Sequence, residues 1–258
     1  MVYNILDVDY NCDLAQSFGV FENENEEKII KYMSSAAISC GFHCADPVKI
    51  KKAMALCKEN NVAIGAHIAF PDIQGFGNRQ MNLSADEIEA IVIYQLGAIQ
   101  SFAKAYNAEI EFVRTHGAMW EMAANNLEFS VNIAKAIKKV SEWFVYYGAS
   151  GETLSQVEAE TNIRTAKELI LTQNYNKDMS LDKECTYIFS TEKALNRLRK
   201  LLISSEISTS DREYIKVEFD SIHFDTINDN SLELAKSAYQ IMAPKPVNYN
   251  KVVTSGWV

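Results

Sequence analysis

The feature that most constrains this chain is a change of hydrophobic period that recurs along its length. Short apolar runs at residues 2–8, 36–42, 62–67, 110–117, 143–148, 162–167 and 215–224 read as strands. Helical spacing fills the intervals at 24–33, 47–59, 85–106, 127–140, 152–160 and 191–203, and a last helix runs from the Asn230 cap to about 242. Two helix starts are written out. Asp46-Pro47 places a capping acid before a proline whose missing N–H is no loss in the first turn. Ser84 and Glu87 form a capping box ahead of Ile88, Ile91, Val92, Leu96 and Ile99. Strand followed by helix, repeated in this way, predicts an α/β fold with a parallel sheet covered by helices.

No exact repeat and no break in composition divides the chain, so residues 1–258 read as a single barrel domain. A polar stretch at about 168–190 reads as a loop insertion, and 243–258 as a tail without clear period. Hydrophobic residues make up 48% of the chain, enough for a sizeable core. The net charge of −9 repels phosphate backbones, so no nucleic-acid partner is expected. No apolar stretch is long enough to span a membrane. The five cysteines, Cys12, Cys40, Cys44, Cys57 and Cys185, include no CxxC pair, and the first residues do not resemble a signal peptide. Both point to a reduced, cytoplasmic protein. The cysteines read as packing groups, with Cys44 singled out because it follows His43.

The chemistry-bearing residues follow one rule. The four histidines, His43, His67, His116 and His223, each stand at the C-terminal end of an expected strand, and so does Asp13. In a parallel barrel those ends share the face where substrates bind. One such histidine alone would read as a hydrogen-bonded structural residue; four obeying the same rule point to a site. Asn11 accompanies Asp13. Asp46, Asp72, Arg79 and Arg114 add charge to the same loops, and an arginine there can grip a carboxylate or phosphate. Gly117 follows His116 and permits close backbone approach. A divalent metal remains open: Asp13, His43, His67 and His116 would hold it, but no HxxxH or HExxH pair occurs.

Five blocks in order resemble the lactam-utilisation (LamB/YcsF-like) family, whose bacterial members include the A subunit of the ATP-dependent 5-oxoprolinase. They are DYNCDLAQSFG (9–19), SSAAISCGFHCADP (34–47), VAIGAHIAFPDIQGFGNRQM (62–81), YQLGAIQSF (94–102) and VRTHGAMW (113–120). The second half matches more loosely, through YNKDMSL (175–181) and IHFD (222–225). The resemblance implies an incomplete or distorted seven-stranded parallel (β/α) barrel, TIM-like and related to deacetylase-type barrels. It also implies a hydrolase that works with two partner subunits and ATP to open the lactam ring of 5-oxoproline (pyroglutamate) to L-glutamate, after the lactam has been activated by phosphate.

Such a reaction needs a base for the attacking water and donors for a negatively charged intermediate. Asp13 or a histidine is the candidate base. Arg114, His116 and the backbone N–H groups near Gly117 are candidates for the phosphate or oxyanion, and Arg79 for the substrate carboxylate. Several positions depart from the family pattern. Ala15 and Gln16 replace a glycine and a glutamate; Arg114 replaces a lysine; Ile68 replaces a proline. Thr172 and Gln173 replace an acid and a base, and Phe224 replaces a glycine. Two other readings therefore stand beside the first: a weakened or re-purposed relative that binds a small lactam or a partner protein, and a metal-dependent amidase or deacetylase.

Overall fold

The computed structural model describes residues 8–184, 187, 188 and 190–242. The run expected as strand at 2–7, Cys185 and the tail at 243–258 lie outside the described residues.

Seven parallel strands close into a barrel. They are β1 (Asp9–Leu14), β2 (Ser35–Ser39), β3 (Ala63–Ile68), β4 (Phe112–Thr115), β5 (Val145–Ala149), β6 (Arg164–Ile170) and β9 (Ser221–Phe224). Each pairs with the next in that order, and β9 returns to pair with β1. Closure leaves no unpaired strand edge. The α/β TIM-like barrel is therefore complete with seven strands. The helices between them are α1 (Glu26–Ile29), α2 (Pro47–Asn60), α3 (Ala85–Ala105), α4 (Gly117–Asn125), α5 (Leu127–Val140), α6 (Glu152–Thr161), α7 (Thr191–Ser204) and α8 (Ser231–Met242). Among the described residues no helix is long and apolar enough to cross a membrane.

Local chemistry fixes the helix starts. Asp46 accepts from the backbone of Val48 and Lys49 at the head of α2, and the Ser84–Glu87 box is formed at the head of α3. The buried stripe of α3 includes Ile88, Val92, Leu96 and Ile99.

The strands sort side chains by their two-residue period. On β1, Tyr10, Cys12 and Leu14 join the large core under the helices, whereas Asp9, Asn11 and Asp13 turn to the polar interior. A second apolar cluster fills the barrel itself: Ala37, Phe112, Val145, Tyr147 and Ala166. Phe112 stacks on Tyr147 with ring centroids 4.3 Å apart. Gly65 makes room for it, since a Cβ there would collide with the Phe112 ring.

Four expectations change. β1, the first strand among the described residues, occupies Asp9–Leu14, which the sequence left outside any expected strand because its inward face is acidic and hides the period. The region from 168 is not loop at its start: Glu168, Leu169 and Ile170 complete β6. The final run at 215–224 is divided. A short pair, β7 (Glu206–Ser208) and β8 (Tyr214–Lys216), runs antiparallel outside the barrel, and only β9 enters it. Helix α4 had no counterpart in the expected elements. Cys12, Cys40, Cys44 and Cys57 are buried free thiols.

Candidate active site at the barrel mouth

Asp13 is the next-to-last residue of β1, and its carboxylate is the centre of the site. Arg114, from β4, brings Nη1 to 3.1 Å from Asp13 Oδ1 and donates through Nε to both oxygens of Glu168, at 2.8 and 2.9 Å. Arg114 Nη1 also donates to His67 Nε2 at 2.8 Å. A guanidinium has no acceptor, so His67 Nε2 carries a lone pair and its proton is on Nδ1. That Nδ1 lies 3.2 Å from Asp13 Oδ1, outside hydrogen-bonding alignment. Gln16 donates to Asp13 Oδ2 at 3.0 Å. His223 Nε2 stands 3.5 Å from the same oxygen.

Burial dominates the electrostatics. It pushes Asp13 up to about 7, against the pull of Arg114, with Glu168 and Asp225 adding to the rise. His43, His67 and His223 are held well below the usual imidazole range by burial, and His116 is pushed down to about 4. All four rings are therefore neutral at pH 7.

Above this cluster opens a cavity of about 260 Å³ whose lining includes Asp13, Gln16, Arg114, His116, Gly117, Trp120, Gln173, His223 and Asp225. It lies at the C-terminal ends of β1, β4, β6 and β9. Gly117 opens α4 with φ +54°, and a Cβ there would meet Asn78 Oδ1 and the Gly77 carbonyl at 2.7 Å. Its backbone N–H and Arg114 Nη2 have no hydrogen-bond partner among the described residues. Trp120 Nε1 and Gln173 Oε1 are also buried without a hydrogen-bond partner among the described residues.

The expected residues separate into three groups. Asp13, Arg114, His116, Gly117 and His223 line the cavity. Asn11, His43 and His67 lie fully buried beneath it, with His43 stacked on His116 at 4.0 Å between ring centroids. Asp46, Asp72 and Arg79 are not brought to the cavity lining. Asp46 caps α2. Asp72 accepts from the backbone of Gly75 and Arg79 and from Arg79 Nε at 2.9 Å, which ties that loop to itself and occupies the cation expected for a substrate carboxylate.

Glu168 is the residue that sequence reasoning missed. It is 1% exposed, bridges Arg114 and Asn11, and sits in the stretch read as loop. The apolar residues after it, Leu169 and Ile170, were the available signal for a longer strand.

The substituted positions have structural consequences. Ala15 keeps a left-handed backbone, φ +59°, where the family pattern has glycine. Gln16 donates to Asp13, which a glutamate could not do. Thr172 donates its hydroxyl to Asp225. Phe224 lies in regular strand with its side chain in the outer core, in a backbone conformation that does not require glycine.

Three imidazoles, His43, His67 and His116, place nitrogens within 4.8 Å of one another. As arranged they do not suit a divalent ion. The His43 and His116 rings are stacked at an interplanar angle of 15°, so their in-plane lone pairs run parallel rather than converge. The Arg114 cation, 2.8 Å from His67, adds repulsion.

The LamB/YcsF family matches residues 8–255. The chain belongs to the LamB/YcsF family. Its relatives there include the A subunit of 5-oxoprolinase from Bacillus thuringiensis subsp. konkukian, 35% identical over 237 residues, covering 90% of this chain and 94% of that protein. The protein of the same name from Clostridium kluyveri is 33% identical over 250 residues, covering 95% and 98%. Among solved structures, the lactam utilization protein from Thermus thermophilus superposes with a TM-score of 0.84 at 30% identity, covering 90% of this chain and 94% of that one. The LamB/YcsF relationship thus extends through the second half of the barrel, where the sequence blocks were weaker.

Proposed function

We propose that this LamB/YcsF protein is the subunit of an ATP-dependent 5-oxoprolinase that completes the hydrolytic opening of 5-oxoproline to L-glutamate. Two partner subunits use ATP to place a phosphate on the lactam oxygen, and this chain acts on the activated ring. The observation that carries the reading is Asp13: a buried carboxylate at the cavity floor, pushed up to about 7, beside a fixed guanidinium.

A base with that proton affinity takes a proton from water near neutral pH without holding it too tightly to return it. Water adds to the activated carbon and loses its proton to Asp13. The ring C–N bond then breaks, the nitrogen takes a proton, and the remaining acyl phosphate releases phosphate to a second water. Arg114 Nη2 and the Gly117 N–H at the head of α4 are the donors for the charge that develops on oxygen. Trp120 Nε1 offers a donor to the ring nitrogen, which carries a lone pair and no hydrogen in the O-phosphorylated lactam, and Gln173 Oε1 offers an acceptor once that nitrogen is protonated as the ring opens. A cavity of about 260 Å³ suits a small cyclic acid; drug-sized ligands occupy roughly 300–1,000 Å³.

The test is reconstitution with the partner subunits, ATP and 5-oxoproline, measuring glutamate and ADP together. Glutamate formation is expected to require this chain. Equal glutamate formation when the chain is omitted would overturn the reading.

A further inference from the structure

Asn11 and Glu168 touch neither the cavity nor, in the proposed reaction, the substrate. Both are fully buried in charged surroundings, and their hydrogen bonds can be followed donor by donor. Glu168, gripped by Arg114 Nε through both oxygens, offers only acceptors. The Asn11 group 2.9 Å from Glu168 Oε2 must therefore be its NH₂. The same NH₂ lies 2.7 Å from Ser221 Oγ, which can accept because its own proton goes to Asp9 Oδ2 at 2.9 Å. Asp9 also takes the hydroxyls of Ser34, Ser35 and Tyr147, so the lower end of this chain is anchored in β2, β5 and β9. With its NH₂ so directed, Asn11 turns its carbonyl oxygen toward His223 Nδ1 at 2.6 Å. That oxygen can only accept, so Nδ1 holds the imidazole proton. A neutral imidazole has one N–H. His223 Nε2 is then a bare lone pair, 3.5 Å from Asp13 Oδ2 and 3.8 Å from Asp225 Oδ1.

We propose that Glu168 and Asn11 are positioning residues that lock His223 in its Nδ1–H tautomer, so that Nε2 accepts a hydrogen bond from the proton that Asp13 takes from water. The role deepens the proposed reaction and rests on Asp13 being its base. In the step, the proton leaves water for Asp13 Oδ2, and the new Oδ2–H donates to His223 Nε2; no charge is added to the ring. The opposite tautomer would point an N–H at Asp13, favouring its ionised form and opposing the transfer. The register that builds this device is set by the barrel: Asn11 is opposite His223 across β1 and β9, and Glu168 is opposite Ser221 across β6 and β9.

The test is ring-¹⁵N NMR of histidine-labelled full-length chain, with the His223 signals assigned by their loss in His223→Gln. The wild-type chain is expected to show protonated Nδ1 and bare Nε2 at neutral pH; a protonated Nε2 would overturn the proposal whatever the enzyme's reaction. Asn11→Leu removes the acceptor, and Glu168→Gln sets an amide donor against the Asn11 NH₂. In each folded variant the His223 proton is expected to move to Nε2, wholly or in part. Retention at Nδ1 in both would also overturn it. In the reconstituted complex Asn11→Leu is expected to lower kcat at least about tenfold with KM within about twofold, as for a group acting on proton transfer rather than binding. An unchanged kcat with a moved tautomer would contradict the catalytic part alone.

Discussion

Arg114 Nη1 lies 3.1 Å from Asp13 Oδ1, yet Asp13 holds its proton up to about 7. A neighbouring guanidinium ordinarily drives a carboxyl well below its free value. Here Arg114 is shared with Glu168, and burial of Asp13 outweighs what remains of the attraction. A carboxylate left in this balance can exchange protons at neutral pH.

The pH dependence of activity follows. The proposed base acts when Asp13 is ionised, so kcat/KM of the reconstituted complex is expected to rise with pH through about 7. Gln16→Glu replaces the donor to Asp13 Oδ2 with a second carboxylate. The acid limb is expected to move to higher pH in that variant; an unmoved limb would show that Gln16 does not tune Asp13.

Stability should run the other way. Asp13, Glu26 and Glu111 are each pushed up to about 7, first of all by burial. Unfolded, they ionise at about 4. Between those values the folded chain binds more protons than the unfolded chain, so their contribution is full below about 4 and is lost as pH rises through about 7. The thermal midpoint is expected to fall between pH 5 and 8, and Asp13→Asn to reduce that slope. Parallel slopes in the two proteins would contradict the burial account of Asp13.

Ala15 offers a stability test that changes no charged group. It holds φ +59° with a Cβ that this conformation disfavours. Ala15→Gly relieves about 1–2 kcal/mol of that strain but adds roughly 0.5–1 kcal/mol of chain entropy cost. A net gain of about 0.5–1 kcal/mol is expected in denaturant unfolding; a loss would mean that the methyl group's packing outweighs the strain.

Gly117→Ala should be severe. A left-handed φ and oxygen atoms 2.7 Å from the new Cβ leave it no place. A destabilisation of about 1–3 kcal/mol is expected, with loss of turnover through displacement of the backbone N–H at the head of α4. A stable, active Gly117→Ala would remove that N–H from the site.

Much of this site was legible before the fold was known, for a topological reason. Parallel strands deliver their C-terminal ends to one face, so a residue type recurring at those ends marks a mouth. Asp13, His116 and His223 were found in this way, and Arg114 as a charge on the loops beside them. The rule names positions along the chain but not directions, which is why Arg79 and Asp46 were grouped with them although one pairs with Asp72 and the other caps a helix. Glu168 and the strand Asp9–Leu14 escaped because the barrel interior here is polar: alternating acids and amides imitate loop composition while occupying buried strand positions. Helix α4 escaped because its start overlaps the strand-end motif itself.

The central claim is that Asp13 is the base for ring opening. Its most direct test is the rate of glutamate formation by the reconstituted complex with Asp13→Asn in place of the wild-type chain, at pH 8 and with matched folding by circular dichroism. A loss of about 10²–10⁴-fold in kcat is expected. Turnover within about twofold of wild type in a folded Asp13→Asn protein would contradict the account.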